Sequence, residues 1–423
     1  MRVEVLNTGS ELLLGAVVNT HLAFLGQQLF SIGLRVERQT CVPDGAVIGP
    51  VMRETFPRCD VLLVTGGLGP TSDDITRELV AGFFDLPLER DEAVYAMIKD
   101  RVAKFGRKIN ESLARQAYVP RGMTLLPNPH GTAPGLYLPA RIHQGQATPH
   151  LFLLPGPPRE LRPMVLNEVL PRLRELRAKA GGAPETMKVF RIVGLGESQV
   201  EEMVGPALLA LPKLELGYCA RSGEVDVRLI GPAETVARAA AIVRAEPGLR
   251  EHLISETNET LEEVIVNLLR ERGATLSSAE SCTGGLIAHR ITNVAGASKV
   301  FIAGPVTYAN SAKVQALGVD PALIDAHTAV SGEVAQAMAL GVKQTFQTDF
   351  SVATTGVAGP DGATAESPVG TVFIAVAGPG DAVEVKRRQF FVSDRETFKH
   401  LASQAAFYLL RRKLLAGNQT DNR

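Results

Sequence analysis

Nowhere in this 423-residue chain do apolar residues run on for the ~18 to 20 positions that a membrane-spanning helix requires. Its start, Met-Arg-Val-Glu-Val-Leu, carries no apolar signal core, so a cytoplasmic protein without a membrane partner is expected. An excess of one charge is lacking too: 44 Lys and Arg face 45 Asp and Glu, for a formal net charge of −1. Such a balance supplies no global field for DNA or RNA, and no direct nucleic-acid partner is expected. Cysteine is sparse. Cys41, Cys59, Cys219 and Cys282 stand far apart, with no Cys-x-x-Cys and no Cys/His cluster. This spacing excludes a disulfide framework and an encoded zinc site, and the four read as reduced thiols.

What is present is apolar patterning, 45% of the residues, over a length that suffices for two or three domains with cores of their own. Strand-like and helical segments alternate from the start: Val3–Thr8, a helix over 19–31, a strand over 34–41, a helix over 46–56 and Val61–Thr65. Repeats of this kind predict a parallel sheet covered on both faces, with ligands at the carboxyl ends of its strands. Two of those ends are rich in turn residues, Thr8-Gly9-Ser10-Glu11 and Thr65-Gly66-Gly67-Leu68-Gly69-Pro70-Thr71-Ser72-Asp73-Asp74. The glycines of the second can cradle phosphate through backbone N–H groups or form a turn only; the dinucleotide spacing and the lysine of a triphosphate loop are both missing. Asp73 and Asp74 equally suit the start of a helix.

A first domain is expected over 1–176, and the Lys/Gly/Ala/Pro stretch 177–184 reads as a linker. Residues 185–253 then form a small α/β module, with strands over 188–193 and 225–230 and helices over 198–209 and 233–245. Its order resembles a KH-like unit, but it has no Gly-x-x-Gly loop with basic neighbours, which favours a spacer or dimer element. A third domain is expected over 257–416. It comprises an amphipathic helix ending at Gly273, strands over 274–279, 300–308, 350–355, 370–376 and 383–392, and helices over 331–346 and 394–415. The last residues, 418–423, read as a frayed polar tail.

The third domain carries the chemistry. Ala279-Glu280-Ser281-Cys282-Thr283-Gly284-Gly285 places a serine at a strand-to-helix turn, where unpaired N–H groups of Thr283, Gly284 and Gly285 can stabilise an oxyanion. The heptapeptide alone fits a helix cap equally well. Tyr308-x-x-x-x-Lys313 adds a lysine about one turn into a helix, and a desolvated lysine can take the proton that a serine must lose to attack an amide. Arg395 can lower the pKa of Lys313 by like-charge repulsion, hold a phosphate, or lie on the surface. The loop Thr355-Gly356-Val357-Ala358-Gly359-Pro360-Asp361-Gly362 can admit a ligand's sugar or phosphate at Gly356 and Gly359, or form a tight turn.

Taken together these residues resemble the CinA family of competence/damage-inducible proteins over nearly the whole chain. The marks are Thr8 to Leu13 with Gly15, Asn19 and Thr20, the run Gly66 to Asp74, Asn128-Pro129-His130-Gly131-Thr132-Ala133-Pro134-Gly135 and Leu154-Pro155-Gly156-Pro157-Pro158-Arg159-Glu160-Leu161. The serine heptapeptide, Tyr308 to Lys313, Ala329-Val330-Ser331 and Thr355 to Pro360 follow in order. The resemblance implies an α/β protein: a three-layer molybdopterin-binding-like domain, the KH-like module and an α/β amidohydrolase domain. For the last it implies conversion of nicotinamide mononucleotide (NMN) to nicotinic acid mononucleotide and ammonia, with no cofactor. Ser281 is the implied nucleophile and Lys313 its base, with Tyr308 and Arg395 in support.

For the first domain the resemblance implies ADP-ribose hydrolysis with a divalent cation. Asp44 and Asp74 match the acidic positions of that fold, and Glu11 and Asp73 are further candidates. A homodimer is implied as well. Two other readings stay open: a non-catalytic binding or scaffold role for the first domain, and a competence protein acting on DNA through a partner. Three departures from the family pattern stand out: His21 where Asn is common, a longer segment over 141–150, and Ser367 where a basic residue often precedes Pro-Val-Gly-Thr.

Overall fold

The computed structural model describes residues 1–106, 108–181, 185–391 and 394–416. The chain divides into two compact units, Met1–Pro184 and Glu185–Arg423. No helix among the described residues is long and apolar enough to cross a membrane.

In the first unit a six-stranded sheet runs in the order Val36–Val42, Val3–Thr8, Val61–Thr65, His150–Leu154, Gly135–Leu138, Thr124–Leu126. The first four strands are parallel; the last two each join antiparallel to their neighbour. Val3–Thr8 and Val61–Thr65 are buried at every position, because helices cover both faces. The two-residue period of the strands sends Val3, Val5, Val61, Leu63 and Phe152 into one core, with Leu25, Leu29 and Leu161 from helices. It sends Leu6, Leu62, Val64 and Leu153 into the other, with Ile48 and Met52. Between Leu138 and His150 the unusually long segment folds as a small hairpin, Arg141–His143 with Gln146–Thr148.

The carboxyl ends of three adjacent parallel strands converge at Thr8, Thr65 and Leu154. Gly66 sits between them. Its N–H donates to the Leu154 carbonyl at 2.9 Å, its φ is 102°, and a Cβ there would come within 2.4 Å of the Thr8 hydroxyl. Only glycine meets both demands.

The second unit opens with a four-stranded antiparallel sheet in the order Glu215–Arg221, Glu224–Gly231, Thr186–Val193, Leu253–Ser255. The helices Glu197–Leu209 and Ala233–Ala245 close its core around Phe190, Ile192, Val227 and Leu229. Two of these strands, Glu215–Arg221 and Leu253–Ser255, were not expected from the sequence. Residues 177–180, assigned above to the linker, finish the helix Leu170–Ala180, and 182–184 lie outside the described residues.

The remainder of this unit is a five-stranded sheet in the order Phe301–Ala303, Leu276–Glu280, Phe350–Gly356, Thr371–Ala377, Val383–Gln389. The first three strands are parallel and the last two antiparallel. The strand expected over 300–308 is only three residues long, since Gly304 and Pro305 interrupt it; Pro305 has no N–H for a ladder. The strand expected over 383–392 ends at Gln389, and the tail over 418–423 lies outside the described residues. Leu261–Arg272 begins where the Thr260 hydroxyl and Glu263 carboxylate exchange hydrogen bonds with each other's backbone N–H, and stops at left-handed Gly273. It packs with Leu286–Thr292 and Arg395–Ala416 on one face. Gly332–Phe346 covers the other, with the N-terminal hydroxyl of Ser331 accepting from Val334 N at 3.3 Å.

Candidate functional site

Ser281 follows the last residue of the interior strand Leu276–Glu280. Its N–H donates to the Thr354 carbonyl at 3.0 Å, which extends the parallel ladder by one bond and anchors the serine to the sheet. The chain then turns at Gly284, φ 60°, and Gly285, φ 92°, backbone that other residues rarely adopt, into the helix Leu286–Thr292. Beneath the turn lies the fully buried carboxylate of Glu280, which accepts from Gly285 N at 3.0 Å, Ile287 N at 3.0 Å and Ala288 N at 2.8 Å. These are the orphan donors of the helix start. Glu280→Gln presents an NH₂ to at least one of them, and is expected to lower unfolding stability by about 1–3 kcal/mol in urea titrations.

Lys313 stands one turn into the helix Asn310–Leu317 and is 1% exposed. Its Nζ lies 3.2 Å from Ser281 Oγ, 3.0 Å from the Thr307 carbonyl and 3.2 Å from the Tyr308 carbonyl. Burial lowers its pKa below the ordinary value of 10.5. A neutral amine so placed gives its two N–H groups to the two carbonyls and turns its lone pair to the serine hydroxyl. Tyr308 is 60% exposed, and its hydroxyl accepts from Arg395 Nη2 at 3.1 Å. Another Arg395 N–H donates to the Gly359 carbonyl. Ser281, Cys282, Tyr308, Lys313, Gly356 and Arg395 line one cavity of about 240 Å³.

In the first unit a larger cavity, about 480 Å³, opens at the three convergent strand ends. Glu11, Asp44, Gly66, Gly67, Gly69, Asp73 and Asp74 all line it, as does His21, whose pKa is lowered chiefly by burial. Among the described residues the N–H groups of Gly67, Leu68 and Gly69 meet no acceptor, which leaves three successive donors for an anion. Among the described residues, side chains alone build no closed cage for the implied divalent cation. One Asp44 oxygen accepts from Ser10 N at 3.0 Å and one Asp74 oxygen from Thr71 N at 3.0 Å. No three His, Cys, Asp or Glu side chains among the described residues gather as a ligand set. Asp44 and Asp74 are thus loop-bracing carboxylates and do not form a closed metal cage.

Residues 258–414 match the family described as CinA C-terminal domain, 4–175 the probable molybdopterin binding domain and 187–269 the damage-inducible protein CinA KH domain. A CinA-like protein of Akkermansia muciniphila is 44% identical over 406 residues, 96% of each chain. The chain belongs to the CinA family. A further CinA-like protein, from Geotalea uraniireducens, is 40% identical to it over 98% of each chain. Among solved structures, a competence/damage-inducible protein of Agrobacterium tumefaciens is 37% identical over 36% of this chain and 92% of its own, with a TM-score of 0.35.

Within this CinA chain three expectations need correction. The oxyanion donors are not those of Gly284 and Gly285, because Gly284 N donates to the Ser281 carbonyl and Gly285 N to Glu280. Among the described residues the free N–H groups beside the serine belong to Cys282 and Thr283, of which only Cys282 lines the cavity; Thr283 is fully buried, and Gly284 and Gly285 shape the turn and lie off it. The Thr283 side chain is buried against the Thr354 hydroxyl at 2.8 Å. Gly359 likewise does not line the cavity, and meets it only through Arg395. Arg395, finally, plays no part in lowering the Lys313 pKa, which is an effect of burial. Ser367, the position of the missing basic residue, is buried behind the loop with its hydroxyl toward the Val330 carbonyl at 3.5 Å. Glu280 was missed altogether, although an acidic residue just before a glycine turn and a helix is the signal that the helix dipole prefers.

Proposed function

We propose that the C-terminal domain is a serine amidohydrolase that deamidates NMN. The observation that carries this reading is the buried Lys313 Nζ, 3.2 Å from Ser281 Oγ with two backbone carbonyls fixing its orientation. Neutral Lys313 takes the Ser281 proton as Oγ attacks the carboxamide carbon. The tetrahedral oxyanion forms toward the N–H group of Cys282, the residue after the nucleophile. Collapse expels ammonia, which leaves with the proton that Lys313 returns, and an ester of nicotinic acid mononucleotide stays on Ser281. Water attacks this ester, giving its proton to Lys313, and Ser281 recovers a proton as the product acid departs. Arg395, braced by Tyr308 and Gly359, supplies the cationic end of the cavity for the phosphate.

The test is ammonia and nicotinic acid mononucleotide formation from NMN by the intact chain in chelator-treated buffer. Turnover is expected to proceed unaltered by chelation, and an intact chain that releases no ammonia refutes the reading. The neighbouring thiol is not the nucleophile: burial pushes the Cys282 pKa up to about 12, so it stays protonated at neutral pH. Cys282→Ala keeps the backbone N–H, and its kcat is expected within about threefold of wild type; a loss comparable to that of Ser281→Ala would reassign the attack.

A second reading, carried by the convergence of the glycine run and the acidic side chains on one cavity, is that the N-terminal domain binds and hydrolyses ADP-ribose. The three free N–H groups of Gly67, Leu68 and Gly69 suit its diphosphate. Phosphate release from ADP-ribose across a divalent-cation titration, coupled through a phosphatase, separates hydrolysis from a binding-only role.

A further inference from the structure

Gln116 belongs to a single helical turn, Arg115–Ala117, and is 1% exposed, yet it lines the N-terminal cavity. Its amide nitrogen donates to the Leu68 carbonyl at 3.0 Å, within the glycine run. That bond decides which end of the amide is which: the nitrogen faces Leu68, and Oε1 is left as a buried acceptor with no hydrogen-bond partner. A buried acceptor without a donor is costly, and in a cavity wall it marks a place where a ligand supplies one. Phosphate oxygens are acceptors and cannot. Glu160, on the same cavity and largely buried, adds a second acceptor wall, with one oxygen taken by Asn128 Nδ2 at 2.9 Å and the other 3.7 Å from Arg159 Nε.

The cavity wall therefore carries two chemically opposite kinds of group side by side. The backbone N–H groups of Gly67, Leu68 and Gly69 are donors for an anion, while Gln116 and Glu160 are acceptors for a group bearing O–H. We infer that Gln116 is a specificity-determining residue that accepts a hydrogen bond from a ribose hydroxyl of a nucleoside diphosphate whose phosphates lie on the glycine run. This rests on the nucleotide reading of the N-terminal domain and deepens it. Because Gln116 is tethered to Leu68, it also couples sugar recognition to the position of the phosphate loop.

The experiment is calorimetric titration of the full chain with ADP and with 2′,3′-dideoxy-ADP, which keeps both phosphates and lacks the diol, for wild type and Gln116→Leu. Wild type is expected to bind ADP at least about tenfold more tightly than the dideoxy compound, and Gln116→Leu to bind both at the dideoxy level. Wild type binding the two equally overturns the inference and leaves the nucleotide reading standing, whatever the fate of the variant. Discrimination retained in Gln116→Leu also overturns it, since the hydroxyls are then read by other groups. Wild type binding neither compound removes the nucleotide reading and the inference together.

Discussion

Ser281→Ala is expected to abolish ammonia release from NMN, with kcat reduced on the order of 10⁴ to 10⁶-fold. No neighbouring group can replace the hydroxyl. The adjacent thiol on the cavity, Cys282, is held protonated by burial, and Lys313 would retain a lone pair with no proton to accept. The substitution removes one oxygen from a position that is already largely buried and leaves the Ser281 N–H bond to Thr354 intact, so stability should hardly change. Two measurements check this: steady-state ammonia release, and mass spectrometry of enzyme quenched with NMN, in which wild type alone accumulates an adduct of the mononucleotide acyl group. Nucleotide binding in the N-terminal cavity, which is built from other strands, should be unaffected. A variant that still turns over NMN would remove the serine from the chemistry.

Lys313→Met should separate activity from stability. Without the base, kcat is expected to fall about 10³-fold, with KM changed far less, because the amine acts on the serine proton and not on the phosphate. The sign of the pH effect follows from burial. The folded-state pKa of Lys313 lies below the ordinary 10.5 of the unfolded chain, so between those two values the unfolded state binds the extra proton. Stability due to this group therefore rises with pH through that window and is lost as pH falls toward the folded pKa. Activity follows the same group: kcat/KM should climb with pH as Lys313 loses its proton, then level off. Lys313→Met is of similar length and needs no desolvation of a charge, but it leaves the Thr307 and Tyr308 carbonyls without their donor; what is expected by urea denaturation is a flatter pH dependence of stability than in wild type. A pH–rate profile in wild type that shows no ascending limb, or a variant with unchanged kcat, would remove the lysine from the role of base.

Segments whose own residues specify their environment were legible before the structure. Val61–Thr65 read as a buried strand because a parallel strand covered on both faces is apolar nearly throughout, whereas Val3–Thr8 also buries Glu4, Asn7 and Thr8 and was legible chiefly from the strand–helix alternation around it. Glu215–Arg221 did not, since it is an edge strand with mostly exposed or half-buried residues, and its pairing is decided by Glu224–Gly231 beside it. The residues 300–308 looked strand-like by composition, but a ladder depends on backbone N–H groups, and Pro305 offers none. At the site, the residue types for nucleophile and base stood in the sequence at Ser281 and Lys313. Their burial did not, and burial is what lowers the pKa of Lys313 in the direction that the proposed role of base requires.

Local chemistry thus settles from the amino acids alone that this is an α/β chain of the CinA family with a serine at a glycine turn and a glycine-rich run after a buried strand, because propensity, period and motif spacing are properties of neighbouring residues. Only the folded chain decides which N–H groups remain free. Glu280 takes the donors of Gly285, Ile287 and Ala288, the sheet takes that of Ser281, and that of Cys282 is left free on the cavity. The same holds in the first unit, where Leu68 claims one end of the Gln116 amide and leaves the other buried without a partner. Thr354 for Ser281 and Leu68 for Gln116 are partners far away in sequence, and that part of the accounting exists only once the strands have met.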